Sequence, residues 1–280
     1  MEIPNGTLMD LNPGRIVVLG IPLDENSSFL RGAAQAPPAI RKVLNSSVGN
    51  WCCESGADLS LDPRWVDAGD LDLSGLNGEA AFATITQVVT RILSAGGRPL
   101  VLGGDHSITH PVVRGFAGSN PSLTLLHLDA HPDLYDNFED NPRSHASPFA
   151  RIMESELAGR LVQVGIRTST PHQRQQALRF GVESIEMRSW SHRSAIHFDG
   201  PVYLSLDMDV FDPAFVPGVS HHEPGGLSTR QVLDFLQELD CEFVGADIVE
   251  FNPTRDPGGI TATLGAKLYK EILSLLLDRL

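Results

Sequence analysis

The sequence predicts an α/β chain: a three-layer α/β/α domain around a central, mostly parallel sheet. Two observations carry this expectation. Short runs rich in β-branched residues recur along the chain, apolar almost without interruption, as suits strands covered on both faces. Between them lie longer stretches of helical period, and regular alternation of strand and helix implies crossover connections between parallel strands.

In chain order, the strand candidates are residues 15–20, 98–102, 123–127, 161–166, 201–206 and 242–246. The helix candidate 79–95 starts beside Asn77 and Gly78 and closes on Gly96 and Gly97, a common C-terminal stop. Helix 229–239 follows Ser228, whose hydroxyl suits an N-cap, and 262–278 makes a long final helix. No linker, internal repeat or low-complexity tract intervenes, so a single domain over 1–280 is expected.

Composition narrows the function classes. The formal net charge of -14 speaks against a nucleic-acid or anionic-membrane partner and is compatible with a small cationic ligand. Three cysteines, Cys52, Cys53 and Cys241, are too few and too oddly numbered for a disulfide framework, which favours a reducing compartment. Residues 1–13 lack the apolar core of a signal peptide, and no run of apolar residues reaches membrane-spanning length. A cytoplasmic location is the expectation.

Ligands of open parallel sheets bind beyond the carboxyl ends of the strands, so the residues after each apolar run decide the chemistry. Four runs end in acids or histidines: Asp105-His106, Asp129-Ala130-His131-Pro132-Asp133, Asp207-Met208-Asp209 and Asp247-Ile248-Val249-Glu250. Asp129, His131 and Asp133 are spaced by two, so an extended segment would point all three to one side, and Asp207 with Asp209 repeats the spacing. Together with His106 they offer four carboxylates and two imidazoles. Acids crowded in this way repel or take up protons unless countered, and two divalent cations balance the four charges. Carboxylate and imidazole ligands without a thiolate favour two Mn²⁺ ions, with Co²⁺, Ni²⁺, Fe²⁺ and Zn²⁺ left open. Two ions about 3.5–4 Å apart can share a water, lower its pKa and present it to an electrophilic carbon. His145 is placed to protonate a leaving amine, and Glu250 to hold a guanidinium through paired N–H···O contacts.

At these residues the chain resembles the ureohydrolase family of arginases, agmatinases and guanidinobutyrases. The segments Gly103-Gly104-Asp105-His106-Ser107, Asp129-Ala130-His131-Pro132-Asp133 and Ser205-Leu206-Asp207-Met208-Asp209-Val210-Phe211-Asp212-Pro213 stand in the family's order and spacing. The likeness runs from Ile16 to the C-terminus. It implies an arginase-like fold, with His106 and Asp133 on one metal, His131 and Asp209 on the other, and Asp129 and Asp207 bridging. It makes His145 the proton shuttle and Glu250 the guanidinium partner, and it implies a homo-oligomer, a trimer or a hexamer. Ser144-His145-Ala146-Ser147 and Glu223-Pro224-Gly225-Gly226 are similar to the plant-type arginases, although many members carry glycine where Ala146 stands. Tyr135 replaces an asparagine that animal-type arginases use to hold the substrate carboxylate, and many agmatinases share that tyrosine.

The expected reaction is release of urea from a small cationic guanidino substrate. Agmatine, giving putrescine, is the first expectation, because Tyr135 replaces that asparagine and Asp136, Glu139 and Asp140 make the neighbouring loop acidic. L-arginine is the alternative, favoured by Arg143 and the plant-type likeness. Expected substrate contacts are Glu250, Tyr135 and His221, with His222 undecided. A two-metal phosphoesterase would need cations around its phosphate, and few occur near these motifs. A guanidine-binding regulatory protein without turnover is the non-enzymic alternative. Asp105 is expected to orient a ligand and His127 to pack or orient behind Asp129, while His110, His172, His192 and His197 lack partners at ligand spacing.

Overall fold

The computed structural model describes residues 14–47, 49–119 and 122–278, with the backbone alone for 192–195. The expectations drawn for residues 1–13 and for the side chain of His192 lie outside the described residues. The strands are β1 (Ile16–Gly20), β2 (Trp65–Asp70), β3 (Arg98–Leu102), β4 (Thr124–Leu128), β5 (Arg160–Val164), β6 (Glu183–Ile185), β7 (Pro201–Asp207) and β8 (Glu242–Val249). They form one sheet in the order β2-β1-β3-β8-β7-β4-β5-β6, and every pairing is parallel.

The expected strands are all present, and β2 and β6 are two that the apolar pattern did not reveal. Both lie at sheet edges. Only Ala68 is buried in β2, and β6 has no buried residue, so neither carries a continuous apolar run. Strand β8 reaches Val249 instead of stopping at Ala246, which places Asp247 inside the sheet and leaves Glu250 just beyond it.

The helices are α1 (Ala36–Leu44), α2 (Gly78–Ser94), α3 (Thr109–Arg114), α4 (Pro148–Glu154), α5 (Pro171–Phe180), α6 (Thr229–Glu238) and α7 (Ile260–Asp278). Alternate strand residues divide between two cores. Ile16, Val18, Leu100, Leu102, Leu204 and Leu206 pack with α1, α6 and α7, while Val17, Leu19, Val101, Leu125 and Tyr203 pack with α2, α3 and α4. This split at period two is the three-layer architecture. In α2, Phe82, Ile85, Val88, Val89 and Ile92 face the sheet and are almost wholly buried, each contributing about 1.5–3 kcal/mol. Helix α6 starts on a reciprocal cap: the Ser228 hydroxyl accepts from Gln231 N–H, and Gln231 Oε1 accepts from Ser228 N–H.

The sheet order has a direct consequence. Chain continuity runs β3 to β4, yet β8 and β7 are inserted between them, so the ends of β3, β8, β7 and β4 lie side by side at the centre. The three segments with the ligand candidates lie at the ends of β3, β4 and β7, and Glu250 follows β8.

Candidate metal centre and active site

The segments after the strands are turns, and this corrects the reading from spacing. Asp105, Asp129 and Asp207 each accept a hydrogen bond from the backbone N–H two residues on, at Ser107 (3.0 Å), His131 (2.6 Å) and Asp209 (2.7 Å). Such side-chain-to-backbone turns curl the chain as it leaves the sheet. His106 consequently opens a short 3₁₀ turn and Asp209 sits within another, while Asp133 adopts a left-handed φ of 50°. The ligand candidates converge through curled backbone, not through the alternation of an extended strand.

Close packing makes these turns possible. A Cβ at Gly104 would meet the Leu23 carbonyl oxygen at 1.8 Å, and Leu23 O also accepts the Asp105 N–H at 2.9 Å. Only glycine lets the loop after β1 approach here. Glu250 donates its N–H to Gly104 O and holds φ at 64°, a left-handed conformation that costs a non-glycine residue about 1–3 kcal/mol.

The predicted ligands come together. His106 Nδ1 lies 3.2, 3.1 and 3.2 Å from single oxygens of Asp129, Asp133 and Asp207, while His131 Nδ1 lies 2.9 Å from Asp209 Oδ2 and 3.4 Å from Asp129 Oδ1. Two potential ligand groups result, one around His106 and one around His131, and Asp129 belongs to both, Oδ2 to the first and Oδ1 to the second. Asp207 faces the His106 group through Oδ2, its Oδ1 being held by Asp209 N–H.

The electrostatics fit divalent cations. Buried His106 Nδ1 makes no hydrogen bond although it points into three carboxylates. Burial disfavours an imidazolium there, but Asp129, Asp133 and Asp207 outweigh it and raise the His106 pKa well above its ordinary value. Burial likewise opposes charge on His131, and Asp209 and Asp129 still push it up to about 12. Burial and the neighbouring acids raise Asp207 well above the carboxylate range and Asp209 to about 6. Each displacement expresses the same want of positive charge among crowded acids, which two divalent ions would supply. The tautomer of His106 also fits: Ser205 donates its one proton to Asp247 Oδ1 at 2.7 Å, so it must accept from His106 Nε2–H at 2.9 Å. Nδ1 is then the nitrogen that takes the extra proton among the acids and, once that proton leaves, directs its lone pair at them.

Beside this group lies a cavity of about 270 Å³, lined among others by Asp133, Asp207, Asp209, His145, Glu250 and His221. Glu250 Oε1 accepts from His106 N–H and pairs with His145 Nδ1, both at 2.8 Å, and His145 Nε2 meets Ser28 Oγ at 2.8 Å. Burial opposes charge on His145, but Glu250 raises its pKa to about 9. Tyr135 lines the cavity as expected, stacked on His172 at 5.7 Å. His221 lines it too, between Phe29 and His145 at 5.4 Å from each ring, whereas His222 is exposed and bonded to Pro217 O.

One support of each substrate expectation falls away from the pocket, the acidic loop for agmatine and Arg143 for L-arginine. Asp136, Glu139 and Asp140 do not line the cavity, and Asp136 pairs with His172 at 3.0 Å. Arg143 does not line it either and pairs with Glu79 at 3.4 Å. The lining carries instead the neutral Ser28, Thr168, Thr170 and Gln173, together with one acid from another loop, Glu223. No periodicity marks these neutral residues in the sequence, because they sit in loops and at a helix start. Ser205 and Asp247 were visible only as neighbours of stronger candidates.

Residues 14–274 match the family model described as "Arginase family". The chain is 47% identical over 277 residues to "Arginase 1, mitochondrial" of Arabidopsis thaliana, covering 91% of this chain and 79% of that protein. It is 30% identical over 265 residues to "Agmatinase" of Bacillus anthracis, covering 92% and 90%. The solved structure of the arginase from Medicago truncatula superposes with a TM-score of 0.88 at 44% identity, covering 96% of this chain and 89% of that one. Family match, shared fold and the converged acid-histidine group agree: this chain belongs to the arginase family of ureohydrolases.

Proposed function

We propose that the chain hydrolyses L-arginine to L-ornithine and urea at a binuclear metal centre. The observation that carries the reaction class is the pair of ligand groups sharing Asp129 beside a cavity that Glu250 and His145 also line. By the family likeness His106 and Asp133 would hold one ion and His131 and Asp209 the other, with Asp129 and Asp207 shared between them. When bound, the ions balance the four acids and sharpen a shared water as a nucleophile.

The chain's own residues do the rest. Glu250 Oε1 is taken by His106 N–H and His145, so Oε2 is the oxygen left for a guanidinium N–H. That contact orients the guanidinium carbon. His145 keeps its proton through neutral pH because Glu250 stabilises the imidazolium, and it gives that proton to the departing amine.

L-arginine replaces agmatine as the preferred substrate. Supporting it are the higher identity to a plant arginase, 47% against 30% for an agmatinase, and the hydroxyl and amide groups of Ser28, Thr168, Thr170 and Gln173 in a lining from which Asp136, Glu139 and Asp140 are absent and to which Glu223 adds one acid. Such groups suit a carboxylate better than an acidic loop would. Mn²⁺ as the native metal, a cytoplasmic location and a trimer or hexamer complete the reading, resting on ligand chemistry, composition and family likeness. Among the described residues no helix is long and apolar enough to cross a membrane. Urea release from L-arginine, agmatine, 4-guanidinobutyrate and guanidine, compared by kcat/KM with the Mn²⁺-loaded protein, tests the proposal. A larger kcat/KM for agmatine overturns the substrate, and tight guanidine binding without urea from any of the four overturns catalysis.

A further inference from the structure

One rung below the strand ends, the sheet carries a continuous polar row. Asp247 of β8 pairs in register with Ser205 of β7, Ser205 lies opposite His127 of β4, and His127 lies opposite Gln163 of β5. All four side chains are at most 1% exposed. Buried polar groups in the middle of a parallel sheet oppose the apolar pattern of both cores and so call for a function.

Hydrogen bonding fixes every proton in the outer half of this row. Gln163 Nε2 lies 2.7 Å from Pro132 O, and a carbonyl can only accept, so the atom there is the amide nitrogen. The same nitrogen lies 3.0 Å from His127 Nδ1, which must therefore accept. The ring proton is left on Nε2, where it donates to Asp129 Oδ2 at 2.7 Å. A protonated Nε2 cannot ligate a metal, although it lies within ligand distance of His106, Asp129 and Asp133. Phe149 stacks on the His127 ring at 3.8 Å and holds its plane.

We infer that His127 and Gln163 are positioning residues that clamp the bridging carboxylate of Asp129, so that each of its oxygens is presented to one of the two ions. The inference rests on the binuclear reading above. The His127 proton occupies one side of Oδ2, leaving the side that faces His106 Nδ1 at 3.2 Å, while Oδ1 faces His131. Without the clamp only the His131 N–H on Oδ1 holds the Asp129 carboxylate before metal binding, and loss of such a supporting contact typically weakens metal affinity about 10–100-fold.

Three variants and one spectrum test this. Gln163→Glu keeps the shape of the side chain but removes the donor; Gln163→Leu removes all polarity; His127→Phe keeps the aromatic stack. Each is expected to fold, shown by its circular dichroism, and to bind Mn²⁺ about 10–100-fold more weakly, with turnover largely recovered at saturating Mn²⁺. Wild-type Mn²⁺ affinity in Gln163→Glu and His127→Phe overturns the clamp. In parallel, the long-range ¹H–¹⁵N spectrum of the ¹⁵N-histidine-labelled, metal-free protein reports the His127 tautomer, its peaks assigned by their loss in His127→Phe. A proton on Nε2 supports the clamp, and a proton on Nδ1 overturns it. Absence of Mn²⁺ binding by the wild-type chain would sink the binuclear reading and the clamp with it, whereas a proton on Nδ1 with Mn²⁺ binding intact would sink the clamp alone.

Discussion

The imidazole of His145 and the carboxylate of Glu250 meet at 2.8 Å, both almost fully buried and both lining the same cavity. The pair couples two roles, because the acid that is to hold the guanidinium also keeps the proton donor charged. Burial disfavours the imidazolium and Glu250 reverses this, raising its pKa to about 9. With its folded pKa above the unfolded one, the His145 contribution is complete below about pH 6.5 while Glu250 stays ionised, and it fades as pH rises through about 9. It is lost again in acid when Glu250, whose pKa burial would raise but His145 holds below its ordinary value, takes up a proton.

His145→Asn is therefore expected to lower kcat about 10²–10⁴-fold while bound metal per chain is unchanged. Glu250→Gln should lower the His145 pKa, so that ¹⁵N titration of His145 shows its midpoint moved toward neutrality. A His145 midpoint unaffected by Glu250→Gln would show that another group holds the proton.

Gly104→Ala tests the close approach at the end of β3. The new methyl would overlap the Leu23 carbonyl, a backbone atom that cannot turn aside. Overpacking of this kind costs about 1–3 kcal/mol, and it displaces the turn that carries His106. Urea denaturation should show the lower midpoint, and metal titration a weakened site. A variant as stable as the parent would contradict the packing described here.

Proton competition sets the pH dependence of metal binding. His106 and His131 are raised by their acids, Asp207 by burial and the charges of Asp209 and Asp129, and Asp209 by burial and the charge of Asp129. Each must release its proton before an ion can bind, so Mn²⁺ affinity should fall as pH drops from 8 to 6, with protons released on binding. Isothermal titration in buffers of different ionisation enthalpy measures both. Affinity independent of pH would show that these groups are not the ligands.

Much of this was legible because the central strands are covered on both faces. Residues 98–102 and 201–206 read as strands from their unbroken apolar runs, and the acids just beyond them stood out. The polar edge strands β2 and β6 gave no such pattern. Spacing found Asp129, His131 and Asp133 for a reason that does not hold: the residues meet through turns capped by aspartates, not along an extended strand. The acidic loop misled for a related reason, since sequence proximity to Tyr135 does not say which way Asp136 points. His127 and Gln163 lie 36 positions apart, and only the β4–β5 register makes them partners.

The central claim is that His106, Asp129, His131, Asp133, Asp207 and Asp209 hold two divalent ions without which the chain does not turn over. The direct measurement is metal content by mass spectrometry alongside urea release, for the wild type and for Asp129→Ala, before and after chelation. The expected result is two ions per wild-type chain, activity lost on chelation and restored by Mn²⁺, and both metal and turnover lost in Asp129→Ala. Full urea release by the metal-free chain, or two ions retained by Asp129→Ala, would contradict it.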